Sequence, residues 1–194
     1  MPEGNEKSDR FVNNFPSGPT PPIVSVVGYS GSGKTTFIVK LVPELTRRGI
    51  RVGTIKHDVH GFQMDKPGKD SWRHKQSGAV MTVISSPVQI GMVRDVDHDH
   101  GLDELLPLFT GMDLVVTEGY KRGDKPKLEI FRSDMQAEPL CTGDENLLAL
   151  ITDANVDAGV PCFTTSDARR VAEFLIQHFN LTATDNPQHE KANS

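Results

Sequence analysis

Cysteine is scarce in this 194-residue chain, and the scarcity excludes a scaffold held together by disulfides. The two cysteines, Cys141 and Cys162, form no C-x-x-C pair and have no histidine pair nearby to complete a zinc site. We therefore expect two free thiols in a reducing compartment.

Long apolar runs and an excess of basic residues are also missing. No stretch reaches the roughly 20 apolar residues that a membrane-spanning helix needs, and the N-terminus lacks the apolar segment of a secretory signal. The net charge of −5 and the isoelectric point near 5.8 disfavour a general nucleic-acid-binding surface, which is usually basic. These absences predict a cytoplasmic protein that binds neither membranes nor nucleic acid.

The distribution of proline, glycine and polar residues divides the chain into three parts. Residues 1–22 are rich in proline and glycine and carry little periodic hydrophobicity, so they are predicted to form a flexible tail. Residues 181–194 are polar and predict a second flexible tail. One globular domain is expected over residues 23–180, a length that can bury a core without disulfides or metals.

The globular part opens with a pattern typical of a βαβ unit. The β-branched run 23–27 predicts a buried strand, and apolar residues at helical spacing predict a helix over 34–48. Pro43 lies inside this helix and is expected to kink or end it, and Gly49 is a stop signal. A second strand is predicted over 51–55, so the two strands should be parallel.

The remaining pattern predicts a three-layer αβα sandwich with a mainly parallel sheet. A turn at Ser85-Ser86-Pro87 also predicts a β-hairpin extension. Further strands are expected over 79–85, 88–94, 114–117, 128–131 and 147–152, and helices over 102–109 and 167–179.

Between the first strand and the first helix lies a complete G-x-x-x-x-G-K-[ST] motif, the phosphate-binding P-loop. Its glycines let backbone N–H groups approach phosphate oxygens, and Lys34 would reach the β- and γ-phosphates. The Thr35 hydroxyl would coordinate Mg²⁺. A glycine-rich turn with an exposed lysine is the alternative, but the flanking strand and helix favour a P-loop NTPase. The motif residues are Gly28, Tyr29, Ser30, Gly31, Ser32, Gly33, Lys34 and Thr35.

Two acidic residues follow predicted strands at the sheet edge where ligands of α/β proteins gather. Glu118 ends the 114–117 strand and is the candidate Mg²⁺ carboxylate, while Asp113 at the other end of that strand is a structural residue. Asp58 follows the 51–55 strand and is a candidate for binding Mg²⁺ or positioning water, although an ordinary loop aspartate explains it equally well. The histidines beside Asp58 and in residues 97–100 match no standard zinc spacing.

Several further segments together resemble the molybdopterin-guanine dinucleotide biosynthesis protein B family. The run Asp65-Lys66-Pro67-Gly68-Lys69-Asp70-Ser71 is much more specific than the P-loop. The resemblance covers about residues 23–178 and becomes weaker after Phe131. It is also carried by the pair Thr35 and Thr36, Pro43, Arg48-Gly49-Ile50, Ile55-Lys56-His57-Asp58, Trp72, Ser77-Gly78-Ala79 and Glu118-Gly119-Tyr120-Lys121.

The resemblance implies a GTP-binding accessory protein with weak GTPase activity in molybdenum-cofactor biosynthesis. Such a protein acts beside the nucleotidyltransferase that joins GMP to molybdopterin, and it is typically a homodimer that uses Mg²⁺. Lys34, Asp58 and Glu118 are then the candidate catalytic residues, with Thr35, Glu118 and Asp58 around the metal and Thr36 beside the nucleotide. Whether molybdopterin itself binds stays open.

The usual guanine signature, Asn-Lys-x-Asp, is absent from the chain. Its expected place, after the 147–152 strand, holds Asp153, whose carboxylate could accept hydrogen bonds from guanine N1–H and the 2-amino group. Adenine offers no such donor pair, so this contact would select GTP. The alternative is that Asp153 only caps a loop.

Three points keep alternatives open. Lys66 and Lys69 could contact an anionic ligand or could be solvated lysines around a Pro-Gly turn, and Asp70-Ser71 could start a helix that runs to Gln76. A small-molecule kinase shares the P-loop, but it needs an arginine-bearing lid, for which Arg73 and Arg94 are weak candidates. A non-catalytic scaffold that uses nucleotide only as a switch is the other possibility.

Overall fold

The computed structural model describes residues 18–183, which fall into two units. The sheet unit contains the described residues up to His57 and from Asp103 onward, and the hairpin unit spans Asp58–Leu102. The predicted tails lie largely outside the described residues, at 1–17 and 184–194. No helix within 18–183 has the length and apolar character needed to cross a membrane.

The sheet unit is built on six strands that all pair in parallel, in the order β2-β5-β1-β6-β7-β8. This arrangement confirms the predicted α/β class with a mainly parallel sheet. The strands are β1 Ile23–Val27, β2 Val52–Lys56, β5 Leu114–Glu118, β6 Lys127–Ile130, β7 Leu147–Ile151 and β8 Cys162–Phe163. The helices are α1 Lys34–Thr46, α3 Leu102–Leu105 with a 3₁₀ turn at Leu106–Phe109, and α4 Ala168–His178.

Helices α1 and α4 cover one face of the sheet. Phe37, Leu41 and Leu45 recur every four residues along α1 and are almost fully buried, which explains why the 3.6-residue period predicts this helix. Buried residues of α4 complete the same core, and they are Ala168, Val171, Ala172 and Leu175.

Helix α1 continues through Pro43 and ends at Thr46, about one turn beyond the position at which the proline was expected to end it. Proline lacks the N–H that would bond to the carbonyl of Val39, but both residues lie on the exposed side, where water can hydrate that carbonyl. Gly49 then terminates the helix with φ +79°. The Ile50 N–H donates to Leu45 O at 3.2 Å, the bond that characterises a Schellman motif.

The opposite face of the sheet is covered near β6 by residues 132–146. Glu129 is fully buried on β6, and its two carboxylate oxygens accept the backbone N–H groups of Leu140 at 2.6 Å and Cys141 at 2.9 Å. The adjacent buried residue Lys127 donates to Asp144 at 2.6 Å. Two charged strand residues therefore hold in place a segment that has no regular secondary structure of its own.

The hairpin unit contains one helix and a two-stranded antiparallel sheet. Helix α2 spans Asp70–Gln76, as the Asp-Ser start predicts, although its N-cap position is Lys69 and no side chain caps it. The predicted hairpin is present as β3 Met81–Ser85 and β4 Ile90–Arg94, with Ser85 opposite Ile90. Successive side chains of this hairpin point to opposite faces.

Most predicted elements differ from the observed ones by only one or two residues at their ends. The largest difference is two residues, found at the starts of β3 and β4 and at the end of α1. The predicted helix over 102–109 is split into α3 and a 3₁₀ turn because Pro107 lies at its middle. Strand β8 was not predicted, since only two residues pair with β7.

The ion pair between Lys127 and Asp144 predicts a pH-dependent contribution to stability. Asp144→Asn should lower the free energy of unfolding by about 2–3 kcal/mol, because it leaves the nearly inaccessible Lys127 charge without its counter-ion. The Lys127 hydrogen bond holds the pKa of Asp144 below its usual value. The stabilisation is therefore present above about pH 4 and lost as the pH falls through the lowered pKa.

Urea unfolding at pH 7 and at pH 3 measures this contribution. The exposed neighbour Glu145 supplies the control, and Glu145→Gln should change stability by less than about 0.5 kcal/mol. Equal effects of the two substitutions at pH 7 would contradict a stabilising role for the Lys127–Asp144 pair.

Candidate functional site

The P-loop leaves β1 through a conformation that requires glycine. Gly28 has φ +142°, and a Cβ atom at this position would lie 2.6 Å from the carbonyl oxygen of Ile130 on β6. Gly33 has φ +98° and immediately precedes the first residue of α1. Both glycines are therefore dictated by backbone geometry, as the motif predicts.

Lys34 folds back over the loop that precedes it. Its ammonium group donates to the carbonyl oxygens of Gly28 at 3.1 Å and Tyr29 at 2.7 Å. Partial burial lowers the pKa of Lys34, and the nearby Glu118 carboxylate partly offsets that effect. The loop thus holds a partly desolvated cation at its centre, where an anion would gain most from it.

The Thr35 hydroxyl and the Glu118 carboxylate lie in direct contact. Strand β5 pairs with β1 so that Val26 is opposite Glu118, which brings the end of β5 beside the P-loop. Thr35 Oγ1 lies 2.8 Å from both Oε1 and Oε2 of Glu118. The structure therefore brings together the two residues that the sequence predicts to bind metal.

These oxygen atoms fit a magnesium ion. Hydroxyl and carboxylate oxygens are hard ligands, and octahedral Mg²⁺ with ligands at about 2.1 Å places neighbouring oxygens about 3.0 Å apart. The 2.8 Å separation between Thr35 Oγ1 and the Glu118 oxygens is close to that value. Small side-chain movements would allow both residues to contact one ion.

Asp58 belongs to the hairpin unit, where its carboxylate accepts the backbone N–H of His60 at 2.9 Å. This contact supports the interpretation of Asp58 as a loop residue, and its role in binding metal or water stays a prediction. His57 belongs to the sheet unit, and its ring stacks on Tyr120 with centroids 4.6 Å apart. Its backbone N–H donates to the carbonyl oxygen of Glu118 at 3.1 Å.

A cavity of about 490 Å³ lies beside the P-loop at the carboxyl ends of β6, β7 and β8. Its volume falls within the range of small-molecule sites. Both Thr36 and Asp153, the two predicted nucleotide contacts outside the motif, line this cavity. The other lining residues are Ser32, Gly33, Phe37, Lys40, Ile130, Phe131, Arg132, Ser133, Asp134, Thr152, Ala154 and Thr165.

Within the cavity, Asp153 contacts Thr165 from the segment after β8. Asp153 Oδ1 accepts the Thr165 N–H at 3.2 Å, and Oδ2 accepts the Thr165 hydroxyl at 2.9 Å. These bonds orient the carboxylate, and each of its oxygens keeps a second lone pair for another donor. The geometry is thus compatible with both earlier interpretations, loop support and base recognition.

The structure adds cavity residues that the sequence did not indicate. Arg132 and Asp134 form a bidentate ion pair at 3.0 and 2.6 Å, and Lys40 reaches the carbonyl oxygen of Thr165 at 3.3 Å. Ser32, a residue of the predicted motif, also lines the cavity, and its buried hydroxyl has no hydrogen-bond partner within residues 18–183. Arg132 and Asp134 could have been identified only by their positions after strand β6, whereas Lys40 lies on α1, where no sequence signal marks it.

Comparison with known proteins gives a consistent result. Residues 23–153 match the family model described as molybdopterin guanine dinucleotide synthesis protein B. The chain is 37% identical over 164 residues to the molybdopterin-guanine dinucleotide biosynthesis adapter protein of Haemophilus influenzae, covering 82% of this chain and 92% of that protein. The Escherichia coli protein of the same name is 32% identical, with 80% and 92% covered.

Solved structures agree with the sequence comparison. A crystal structure of molybdopterin-guanine biosynthesis protein B superposes with a TM-score of 0.64 at 31% identity, covering 80% of this chain and 99% of that chain. The crystal structure of Bacillus subtilis MobB also gives 0.64, at 29% identity, with 84% and 99% covered.

Proposed function

Because the chain belongs to the molybdopterin guanine dinucleotide synthesis protein B family, we propose that it is a GTP-binding adapter in the biosynthesis of that dinucleotide. GTP binds with Mg²⁺ at the P-loop, residues Gly28–Thr35, and is hydrolysed slowly. The adapter part of the proposal follows the names of its relatives.

The observation that carries the nucleotide proposal is the contact of Thr35 with both oxygens of Glu118. A Ser/Thr hydroxyl after the P-loop lysine and an acid at the end of the neighbouring strand are the Mg²⁺ ligands of P-loop proteins. The structure brings this pair to the N-terminus of α1, where backbone N–H groups and the helix dipole favour a phosphate.

Binding of a triphosphate would change the role of Lys34. Its ammonium group now donates to the carbonyl oxygens of Gly28 and Tyr29, and burial favours its neutral form. A phosphate beside it would supply the negative charge that stabilises the ammonium form. Mg²⁺, when bound, would neutralise charge on the phosphates, while Thr35 and Glu118 hold its position.

The cavity beside the P-loop is the proposed site of the base and ribose. Ser32 contributes a buried hydroxyl without a partner among the described residues, and Thr36 lies one helix position beyond the metal-binding threonine. Asp153 lies across the cavity with its carboxylate oriented by Thr165. A carboxylate at this position favours the N1–H and 2-amino donors of guanine.

The proposal also includes protein partners. The relatives are named adapter proteins, which supports contact with the nucleotidyltransferase that joins GMP to molybdopterin. We propose a homodimer as well, since one face of the hairpin exposes apolar side chains, among them Met81, Val83 and Ile90. Exposed apolar patches of this kind commonly mark protein interfaces.

Calorimetric titration with GTP, GDP and ATP in Mg²⁺ tests nucleotide binding. GTP should bind more tightly than ATP, and Lys34→Ala should weaken GTP binding on the order of 10- to 100-fold, because charged hydrogen bonds to phosphate are lost. Arg47→Ala, at the far end of the same helix, is the matched control and should leave affinity unchanged. Equal binding of ATP would contradict the proposed specificity.

Glu118→Gln tests the metal site and separates hydrolysis from adapter function. The substitution removes the charge but keeps the shape, so GTP affinity should lose most of its dependence on Mg²⁺ and hydrolysis should fall at least tenfold. The exposed substitution Glu138→Gln should change neither quantity. Full cofactor maturation without hydrolysis would identify a nucleotide-dependent scaffold, whereas loss of maturation together with hydrolysis would identify an obligate GTPase.

Asp153→Asn tests base recognition. An amide cannot accept both guanine donors, so the preference for GTP over ATP should fall about tenfold or more. Thr165→Val is the control, because it removes the hydroxyl that orients Asp153 but keeps the carboxylate. If Asp153→Asn leaves the preference for GTP over ATP unchanged, Asp153 supports the loop and does not select the base.

A further inference from the structure

The hairpin unit contains a cavity of its own, with a volume of about 340 Å³. It lies on the hairpin face that carries Thr82, Ile84, Gly91 and Val93, opposite the apolar face described above. Helix α2 and the segment before it supply the rest of the wall. The residues from these parts are Phe62, Gln63, Met64, Asp65, Trp72, Lys75 and Gln76, and β4 adds Met92 and the following Asp95.

The shape of this cavity depends partly on Gly91. A Cβ atom at Gly91 would meet no other atom within 4 Å, so the space above it is open. The φ of Gly91 is not in the left-handed region, so the backbone conformation does not require glycine at this position. A glycine in a strand often marks a place where a ligand or another chain approaches closely.

The cavity walls combine flat apolar surfaces with a small set of polar groups. Trp72 is half-buried, and the mostly exposed side chains of Phe62 and Met64 add polarisable apolar surface. The buried Thr82 hydroxyl has no hydrogen-bond partner within residues 18–183. A buried hydroxyl without a partner is costly, so a ligand that bonds to it would gain affinity.

The charged residues of the cavity differ in how many of their hydrogen-bonding positions are already occupied. Lys75 donates to Asp95 at 2.6 Å and to the carbonyl oxygen of Ala79 at 2.9 Å, so its charge is compensated. Asp65 is half-buried, and its Oδ1 accepts the backbone N–H of Lys66 at 2.8 Å. Its carboxylate keeps lone pairs for two further donors. The cavity thus favours a ligand that donates two adjacent hydrogen bonds.

We propose that this cavity binds a flat heterocycle with a 2-amino-4-oxopyrimidine edge, the edge shared by pterins and guanine. The ring would lie against Trp72, its ring N–H and 2-amino group would donate to Asp65, and the Thr82 hydroxyl would bond to a ring atom. The choice of a pterin rests on the proposed function, since the family takes its name from a dinucleotide of molybdopterin and guanine.

The chain's single tryptophan makes this site directly observable. The full-length Lys34→Ala variant, in which nucleotide binding at the P-loop is weakened, is titrated separately with 6-hydroxymethylpterin and with guanosine while Trp72 emission is recorded. Saturable quenching by the pterin identifies a pterin site. Quenching by guanosine alone identifies a second purine site with the same recognition chemistry. Quenching by neither overturns the proposal.

Two substitutions locate the ligand within the cavity. Gly91→Val should raise the dissociation constant at least tenfold, because its side chain fills the open space while valine suits a strand. Val88→Ile adds one methylene at the exposed turn of the same hairpin, outside the cavity, and is the matched control. Asp65→Asn should also weaken binding about tenfold, since the charge and one acceptor are lost.

The results separate this proposal from the nucleotide proposal. Quenching that survives Gly91→Val unchanged would overturn the cavity assignment even if GTP binds at the P-loop. Conversely, loss of GTP binding in Lys34→Ala with retained pterin quenching would support both sites as independent. A thermal melt of Gly91→Val confirms that its effect is not caused by unfolding, and unaltered stability with lost quenching is the expected result.

Discussion

The candidate site depends on one constraint, the parallel pairing of β1 with β5. This pairing places Val26 opposite Glu118 and so fixes where the acid lies relative to the loop that leaves β1. The loop can then turn into α1 only through glycine at Gly28, because the carbonyl of Ile130 on the other neighbouring strand leaves no room for a Cβ atom. Both neighbours of β1 therefore shape the phosphate loop, one through an acid and the other through a backbone contact.

The two faces of the sheet are covered by different kinds of structure. Toward α1 and α4 the strands present aliphatic side chains, and periodic helices cover them. Toward the other face β6 presents Lys127 and Glu129, and the residues that cover them are irregular. The carboxylate of Glu129 supplies acceptors to two backbone N–H groups that no strand or helix satisfies. Buried charge, together with the apolar contacts of Cys141 with Val27 and Leu147, thus organises this layer where secondary structure is absent.

Sequence patterns predicted the features that depend on local periodicity and on motif chemistry. The period of Phe37, Leu41 and Leu45 identified α1, and the P-loop with Glu118 identified the residues that the structure brings together. Contacts between distant segments carry no such pattern. The pairing of Lys127 with Asp144, and that of Glu129 with two backbone N–H groups of residues 140–141, depend on where irregular chain folds back, so spacing could not reveal them.

The hairpin unit shows why the most family-specific sequence was also the hardest to interpret. Its helix and strands were predicted, yet for the run 65–71 the sequence left open whether the lysines contact an anionic ligand or are solvated around a turn. The cavity arises from alternation in the hairpin, which sends Thr82 and Gly91 to one face and Val83 to the other. Asp65 and Trp72 line that cavity from a different segment. The cavity is therefore a product of tertiary packing, and the conspicuous lysines of the run are not among its lining residues.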